Sequence, residues 1–278
     1  MTANNERAQT GVLDKCRVLR ELHAAGCFVI PNPWDPGSAV LLEQLGFRAL
    51  ATTSSGFAWS IGRADNHVTL GDALAHCRAM SAAARVPISA DFEGGFAIEP
   101  DEVAANVAAA AATGIAGLSI EDSSKEPGTS LYEFDLALER VRAARQAIDD
   151  GPVPLVLTAR SEGFIAGRPD LHETIRRLTA FAEAGADCVF APGIRDEQQI
   201  RTIVSAVAPT PVNVLVSSDF TTVARLAEIG VRRISVGGAL ARAAWGAFLR
   251  AADEIARDGT FTELTRGVPS AEFDRRFS

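Results

Sequence analysis

The stretch Gly114-Ile115-Ala116-Gly117-Leu118-Ser119-Ile120-Glu121-Asp122 decides how the chain is read. Gly114 closes an Ala-rich helix expected over Pro100 to Thr113, Ala116 to Ile120 is a short apolar strand, and Glu121-Asp122 is the acidic pair the strand delivers. The same unit recurs on both sides. Strands are expected at Cys27 to Ile30, Arg48 to Thr52 and Val86 to Ala90, then at Val153 to Thr158, Cys188 to Ala191, Val212 to Val216 and Arg233 to Val236. Helices are expected over residues 11 to 25, 37 to 45, Leu70 to Arg85, Phe134 to Asp149, Leu171 to Ala184, Glu197 to Ala208 and Thr221 to Ile229. Gly26, Gly46, Gly185 and Gly230 stand, like Gly114, where a helix gives way to a strand. Apolar strands each reached through a helix pair in parallel and are buried on both faces. Eight such units in 278 residues favour a closed (β/α)8, or TIM, barrel over an open doubly wound sheet. No Pro- or Ser-rich linker divides the chain, so residues 1 to 278 read as one domain with a helical tail from Ala239 onward.

Composition narrows the partners. Lys and Arg number 27 against 35 Asp and Glu, a net charge of −8 with no basic block, which excludes nucleic acid or an anionic membrane as the expected partner. No apolar run reaches the length of a membrane span, and the polar first ten residues carry no secretory signal. Cys16, Cys27, Cys77 and Cys188 are widely spaced and fit reduced, buried thiols, so a cytoplasmic location is expected.

In a parallel barrel the C-terminal strand ends converge on one face, where the chemistry sits. Those ends supply Trp34 and Asp35, Thr53 to Ser55, Asp91 and Glu93, Glu121 and Asp122, then Arg160 and Glu162; Asn213 lies within the seventh strand. Any one of these carboxylates taken alone reads better as an ordinary loop residue or salt-bridge partner. Together they would be expensive to bury without partners or a ligand. A cation held by Asp91, Glu93 and Glu121 would offset their repulsion, and Arg160 could grip a carboxylate or phosphonate through two hydrogen bonds. His67 and His172 read as surface histidines, and Trp34 as either pocket wall or packing. Val236-Gly237-Gly238 before a helix start could take a phosphate, but close strand–helix packing is the preferred reading, since no phosphate-gripping Lys or Ser directly follows.

The segments Pro31-Asn32-Pro33-Trp34-Asp35, Thr52-Thr53-Ser54-Ser55-Gly56, Gly62-Arg63-Ala64-Asp65, Asp91-Phe92-Glu93-Gly94-Gly95-Phe96, Ser119-Ile120-Glu121-Asp122 and Thr158-Ala159-Arg160-Ser161-Glu162 resemble the isocitrate lyase / phosphoenolpyruvate mutase superfamily, over roughly Cys16 to Ala241. The resemblance implies a (β/α)8 barrel that forms a homo-oligomer, tetramer or dimer, with a C-terminal helix swapped between subunits. It implies a Mg2+ site for small oxo or hydroxy acids. By matching position, Asp91, Glu93 and Glu121 would be metal-shell carboxylates, with Glu93 where Asp is more usual. Thr53, Ser54 and Ser55 would hold the substrate carboxylate, with Arg160 as the substrate-binding arginine and Asp65 as a gating-loop aspartate.

The loop after the fourth strand reads Asp122-Ser123-Ser124-Lys125-Glu126-Pro127-Gly128-Thr129-Ser130. It lacks the Lys-(Lys/Arg)-Cys-Gly-His signature of the lyase branch, and has Thr129 where the phosphonomutase branch commonly has Asn. The expected activity is therefore a Mg2+-dependent lyase or mutase reaction, with Asp65, Arg160 and Glu121 in catalytic roles and Trp34, Thr53, Ser54, Ser55, Asn213, Thr129 and Ser130 around the substrate. The bond cleaved or rearranged is C–C or P–C in a small 2-oxo or 2-hydroxy carboxylate, through an enolate-like pyruvate fragment. The alternatives are phosphonopyruvate hydrolase or phosphoenolpyruvate phosphonomutase activity, and a non-catalytic carboxylate-binding member.

Overall fold

Short apolar runs punctuated by capped helices build the barrel. Asp35 caps the second helix by accepting the Ser38 amide, Thr69, Asp170 and Asp196 do the same for three later helices, and Gly230 leaves its helix in the left-handed conformation. The structure, a computed structural model, describes residues 3–124 and 130–278, with side chains from residue 11 onward. Its strands are β1 (Phe28–Ile30), β2 (Leu50–Ala51), β3 (Ile88–Asp91), β4 (Gly117–Glu121), β5 (Val156–Arg160), β6 (Cys188–Phe190), β7 (Val212–Leu215) and β8 (Arg233–Ser235). Helices α1 (Ala3–Ala24), α2 (Pro36–Gln44), α3 (Ser54–Ser60), α4 (Leu70–Ala83), α5 (Pro100–Ala111), α6 (Phe134–Asp149), α7 (Leu171–Glu183), α8 (Glu197–Val207), α9 (Val223–Ile229), α10 (Ala239–Asp258) and α11 (Ser270–Phe277) surround or follow them.

All ladders are parallel, in the order β1-β8-β7-β6-β5-β4-β3-β2. The β1–β2 seam is closed by single bonds rather than by a ladder. The Ala51 amide donates to the Pro31 carbonyl at 3.0 Å. Asn32 donates to the Thr52 carbonyl at 2.9 Å, and its Oδ1 accepts from the Val236 and Gly237 amides at 2.8 and 2.9 Å. One buried carboxamide therefore joins the ends of β1, β2 and β8. The (β/α)8 barrel expected from the strand grammar is the architecture observed.

Two differences from the sequence reading concern helices. α1 starts at Ala3 rather than near residue 11, and Ser54–Ser60 forms a short helix where only a strand opening was expected. Thr53 starts that helix by accepting the Gly56 amide. A Cβ on Gly56 would lie 2.7 Å from Thr53 and 3.0 Å from Trp34, so only glycine lets the turn pack there.

Leu118, Ile120, Leu157 and Ala159 point outward and are fully buried under the helix layer, against residues such as Val103, Val107, Val141 and Ala144. Truncating Leu118 to alanine would cost about 2–5 kcal/mol. Arg140 of α6, 1% exposed, donates to the carbonyls of Gly94, Ala97 and Ile98 and so anchors the loop after β3 to the outer layer. The four cysteines are free thiols. Among the described residues no helix is long and apolar enough to cross a membrane. At the end of the chain, Gln44 of α2 donates to the Arg276 carbonyl of α11.

Candidate active site

Residues at every second position of a barrel strand face its interior. On β4 these are Ser119 and Glu121, on β5 Thr158 and Arg160, on β7 Asn213 and Leu215, and on β8 Arg233 and Ser235. All of them except Glu121 line one cavity of about 180 Å3, together with Asn32, Thr53, Ser54, Ser55, Asp65 and Asp91. A wider outer cavity of about 570 Å3 adjoins it, lined by Asp65, Asn66, His67, Glu121, Ser123, Ser124, Ser130 and Glu162. Ser54, Asp65 and Arg160 border both.

Arg160 is the hub of the mouth. Its Nη1 lies 2.7 Å from Asp91 Oδ1 and 3.4 Å from Glu121 Oε2, and its Nε donates to Glu162 Oε1 at 2.9 Å. The other Asp91 oxygen accepts the Ser54 amide at 2.9 Å, and the Asp91 amide donates to Thr52 Oγ1 at 2.9 Å. Glu121 accepts from the Ser123 hydroxyl at 2.7 Å. Three carboxylates thus share one guanidinium, and their attraction holds Arg160 above its ordinary pKa despite burial. Burial pushes Glu162 up to about 8, with Glu121, Asp122 and Asp91 adding to the rise against the pull of Arg160. Burial also raises Asp122, although its carboxylate takes the Glu162 amide at 2.7 Å and Arg177 Nη1 at 3.0 Å.

The structure brings together Asp91, Glu121, Arg160, Thr53, Ser54, Ser55, Asp65, Asn213 and Ser130 at the two cavities. It does not bring Glu93 or Trp34 to either wall. Glu93 is 2% exposed and sits in the left-handed region at φ 47°, a strained setting for a residue with a Cβ. Its carbonyl accepts the Glu121 amide at 3.1 Å, so it steadies the next strand end. Trp34 packs beside Gly56. Thr129 and the Lys125-to-Gly128 part of the strand-4 loop lie outside the described residues.

Gly238 comes so close to α3 that a Cβ would lie 2.8 Å from Ser55 Oγ, and the preceding amides bond Asn32. Packing therefore accounts for the Gly237-Gly238 pair. Sequence reasoning passed over the pairing of Glu162 with Arg160 and the inward polar residues Ser119, Thr158, Arg233 and Ser235. A charged residue opening a short apolar strand, as in Arg233-Ile234-Ser235, was the available signal.

Among the described residues no three His, Cys, Asp or Glu side chains are spaced as a ready metal cage. Asp91 and Glu121 nevertheless present hard carboxylate oxygens to the same nitrogen of Arg160, at the cavity walls. That donor set fits a magnesium ion, which is ordinarily held by one or two carboxylates and completes its shell with water and substrate oxygens.

Comparison with known proteins places this geometry. The chain is 46% identical, with a TM-score of 0.93 and 97% of each chain covered, to a solved Burkholderia cenocepacia J2315 structure described as a lyase/mutase. It is 35% identical over 257 residues to an uncharacterized Mycobacterium tuberculosis protein, covering 92% of this chain and 94% of that one. It is 29% identical over 218 residues to an oxaloacetate decarboxylase of Paraburkholderia xenovorans, covering 74% and 71%. The phosphoenolpyruvate phosphomutase family model matches residues 19–256. An acid-ringed barrel mouth and a family match over most of its length agree: the protein is an enzyme of the lyase/mutase type and belongs to the phosphoenolpyruvate mutase family.

Proposed function

We propose that the protein is a Mg2+-dependent enzyme that cleaves or rearranges a C–C or P–C bond of a small 2-oxo or 2-hydroxy carboxylate by way of an enolate-like pyruvate fragment. The observation that carries this reading is the gathering of Asp91, Glu121 and Glu162 on Arg160 beside the two cavities. Even with Glu162 mostly protonated at neutral pH, Asp91 and Glu121 outnumber the one guanidinium, and that excess negative charge favours a divalent cation there.

Asp91 and Glu121 would hold the ion, and Glu93 would act behind them through its carbonyl bond to Glu121. When bound, Mg2+ supplies a positive charge that stabilises negative charge developing on the substrate's oxo oxygen. Arg160 orients Asp91 and Glu121 and presents its remaining donors to the substrate. Ser54 and Ser55, fixed by the Thr53 cap and by the bond from the Ser54 amide to Asp91, hold a carboxylate. Asp65 and Ser130 line the outer cavity, where closure would exclude water.

Release of pyruvate from oxaloacetate and alkylmalates, and of pyruvate or phosphoenolpyruvate from phosphonopyruvate, with and without Mg2+, tests the reading. Turnover of at least one, abolished by EDTA and competed by oxalate, is expected. Phosphonopyruvate as the sole substrate would select the hydrolase or phosphonomutase alternative; no turnover of any would sink the proposal. The same reading carries a homo-oligomer, since Trp245, Phe248 and Leu249 on α10 and Phe273 and Phe277 on α11 are exposed. Light scattering that returns a monomer would refute that part.

A further inference from the structure

Arg233 is the first residue of β8, 5% exposed, and stands beside Asn213 in the β7–β8 register. Among the described residues its side chain makes one hydrogen bond, from Nη1 to Thr158 Oγ1 at 2.8 Å; it has no ion pair there, and its Nε has no acceptor. Burial is the main influence drawing its pKa down, with Arg160 adding to the fall and Cys188 and Asp91 opposing it at a distance, yet arginine keeps its charge in proteins. A buried charge without a counter-ion is costly, and a guanidinium carries five donors in a fixed fork.

The neighbours are incomplete in a matching way. Asn213 is 2% exposed; its Nδ2 donates to Ser235 Oγ at 3.0 Å, while its Oδ1 has no donor. Turning the amide over would let Oδ1 accept the Ser235 hydroxyl proton and release Nδ2 to donate. Arg233, Asn213, Thr158 and Ser235 all line the same cavity as Arg160.

We propose that the inner end of this cavity is a second anion subsite, where Arg233, with Asn213 and Ser235 beside it, binds a substrate carboxylate that the mouth does not hold. The assignment rests on the carboxylate-substrate reading above. Arg160 lies two residues beyond Thr158 on β5, an axial offset of about 7 Å at the usual strand rise. A ligand with carboxylates at both ends of a short chain reaches from the mouth to Arg233, whereas two-carbon oxalate stays at the mouth.

Calorimetric titration of succinate and of oxalate in Mg2+ buffer, on wild-type protein, Arg233→Met and Arg233→Lys, tests this directly. The expected result is succinate binding weakened about tenfold to a hundredfold in Arg233→Met, partly restored in Arg233→Lys, with oxalate changed less than about twofold. Unchanged succinate affinity, or equal losses for both ligands, overturns it. Should Arg233→Met fail to fold, wild-type crystals soaked in bromide decide: an anomalous peak beside Arg233 that succinate displaces supports the subsite. A peak that succinate leaves in place identifies an inorganic-anion site and overturns the substrate role, as does no density there from either ligand. Arg233-dependent succinate binding without turnover of any acid would sink the proposed function and keep the subsite. Turnover with Arg233-independent binding would do the reverse.

Discussion

Arg160 and Arg233 line one cavity and are both buried, but their surroundings are opposites. Arg160 meets Asp91, Glu121 and Glu162 within 3.4 Å, while Arg233 meets a threonine hydroxyl. The same side chain is a brace in one place and an unanswered charge in the other. At the mouth the excess is negative and calls for a cation; at the inner end it is positive and calls for an anion. On the proposed function, a small acid carried with a metal ion would answer both demands.

The largest test of this contrast is at the mouth. Asp91→Ala should lower turnover by about a thousandfold or more, and chelation of Mg2+ from the wild type should reach a similar floor. Unchanged turnover would show that the acidic cluster is only structural. Stability separates the two arginines next. Arg160→Met leaves the Asp91 and Glu121 carboxylates without their ion-pair partner and should cost about 3–5 kcal/mol in urea unfolding, whereas Arg233→Met breaks no ion pair among the described residues and should cost about 1 kcal/mol or less. Equal costs would erase the distinction.

Titration gives smaller effects of opposite sign. Glu162, raised from 4.5 to about 8, favours the fold most below pH 4.5 and loses that contribution as pH rises through 8. Glu162→Gln should therefore flatten the decline in melting temperature across that window. His23 and His76, lowered by burial from 6.5 to about 3 and about 4, contribute fully above pH 6.5 and progressively less as pH falls toward 4. His23→Gln should shallow the acid limb, and an identical limb would show that other groups set it.

The barrel was legible because its signals are local: apolar runs, helix-ending glycines and Pro100 in a first helical turn all point to the same unit. The mouth was legible where a charged residue closes a short apolar strand, as with Asp91, Glu121 and Arg160. The interior was harder. Cys188-Val189-Phe190 gives no polar alternation, and Arg233-Ile234-Ser235 is too short to say which way its side chains face. The inward direction comes from the neighbouring ladder, which a single strand does not contain. Glu93 is the converse case: its type and spacing invite a metal role, while in the structure it is buried at a positive φ and lines neither cavity.

Asn32 has a consequence for how the molecule breathes. Every other strand pair shares a ladder, whereas the seam between the first two strands depends on one backbone bond and one side-chain amide. The Val236 and Gly237 amides, shielded from exchange by a side chain rather than by a neighbouring strand, report on that amide alone. In deuterium they should be the first of the barrel's inner amides to exchange when Asn32 is replaced by alanine, marking where the cylinder can open without the whole fold coming apart.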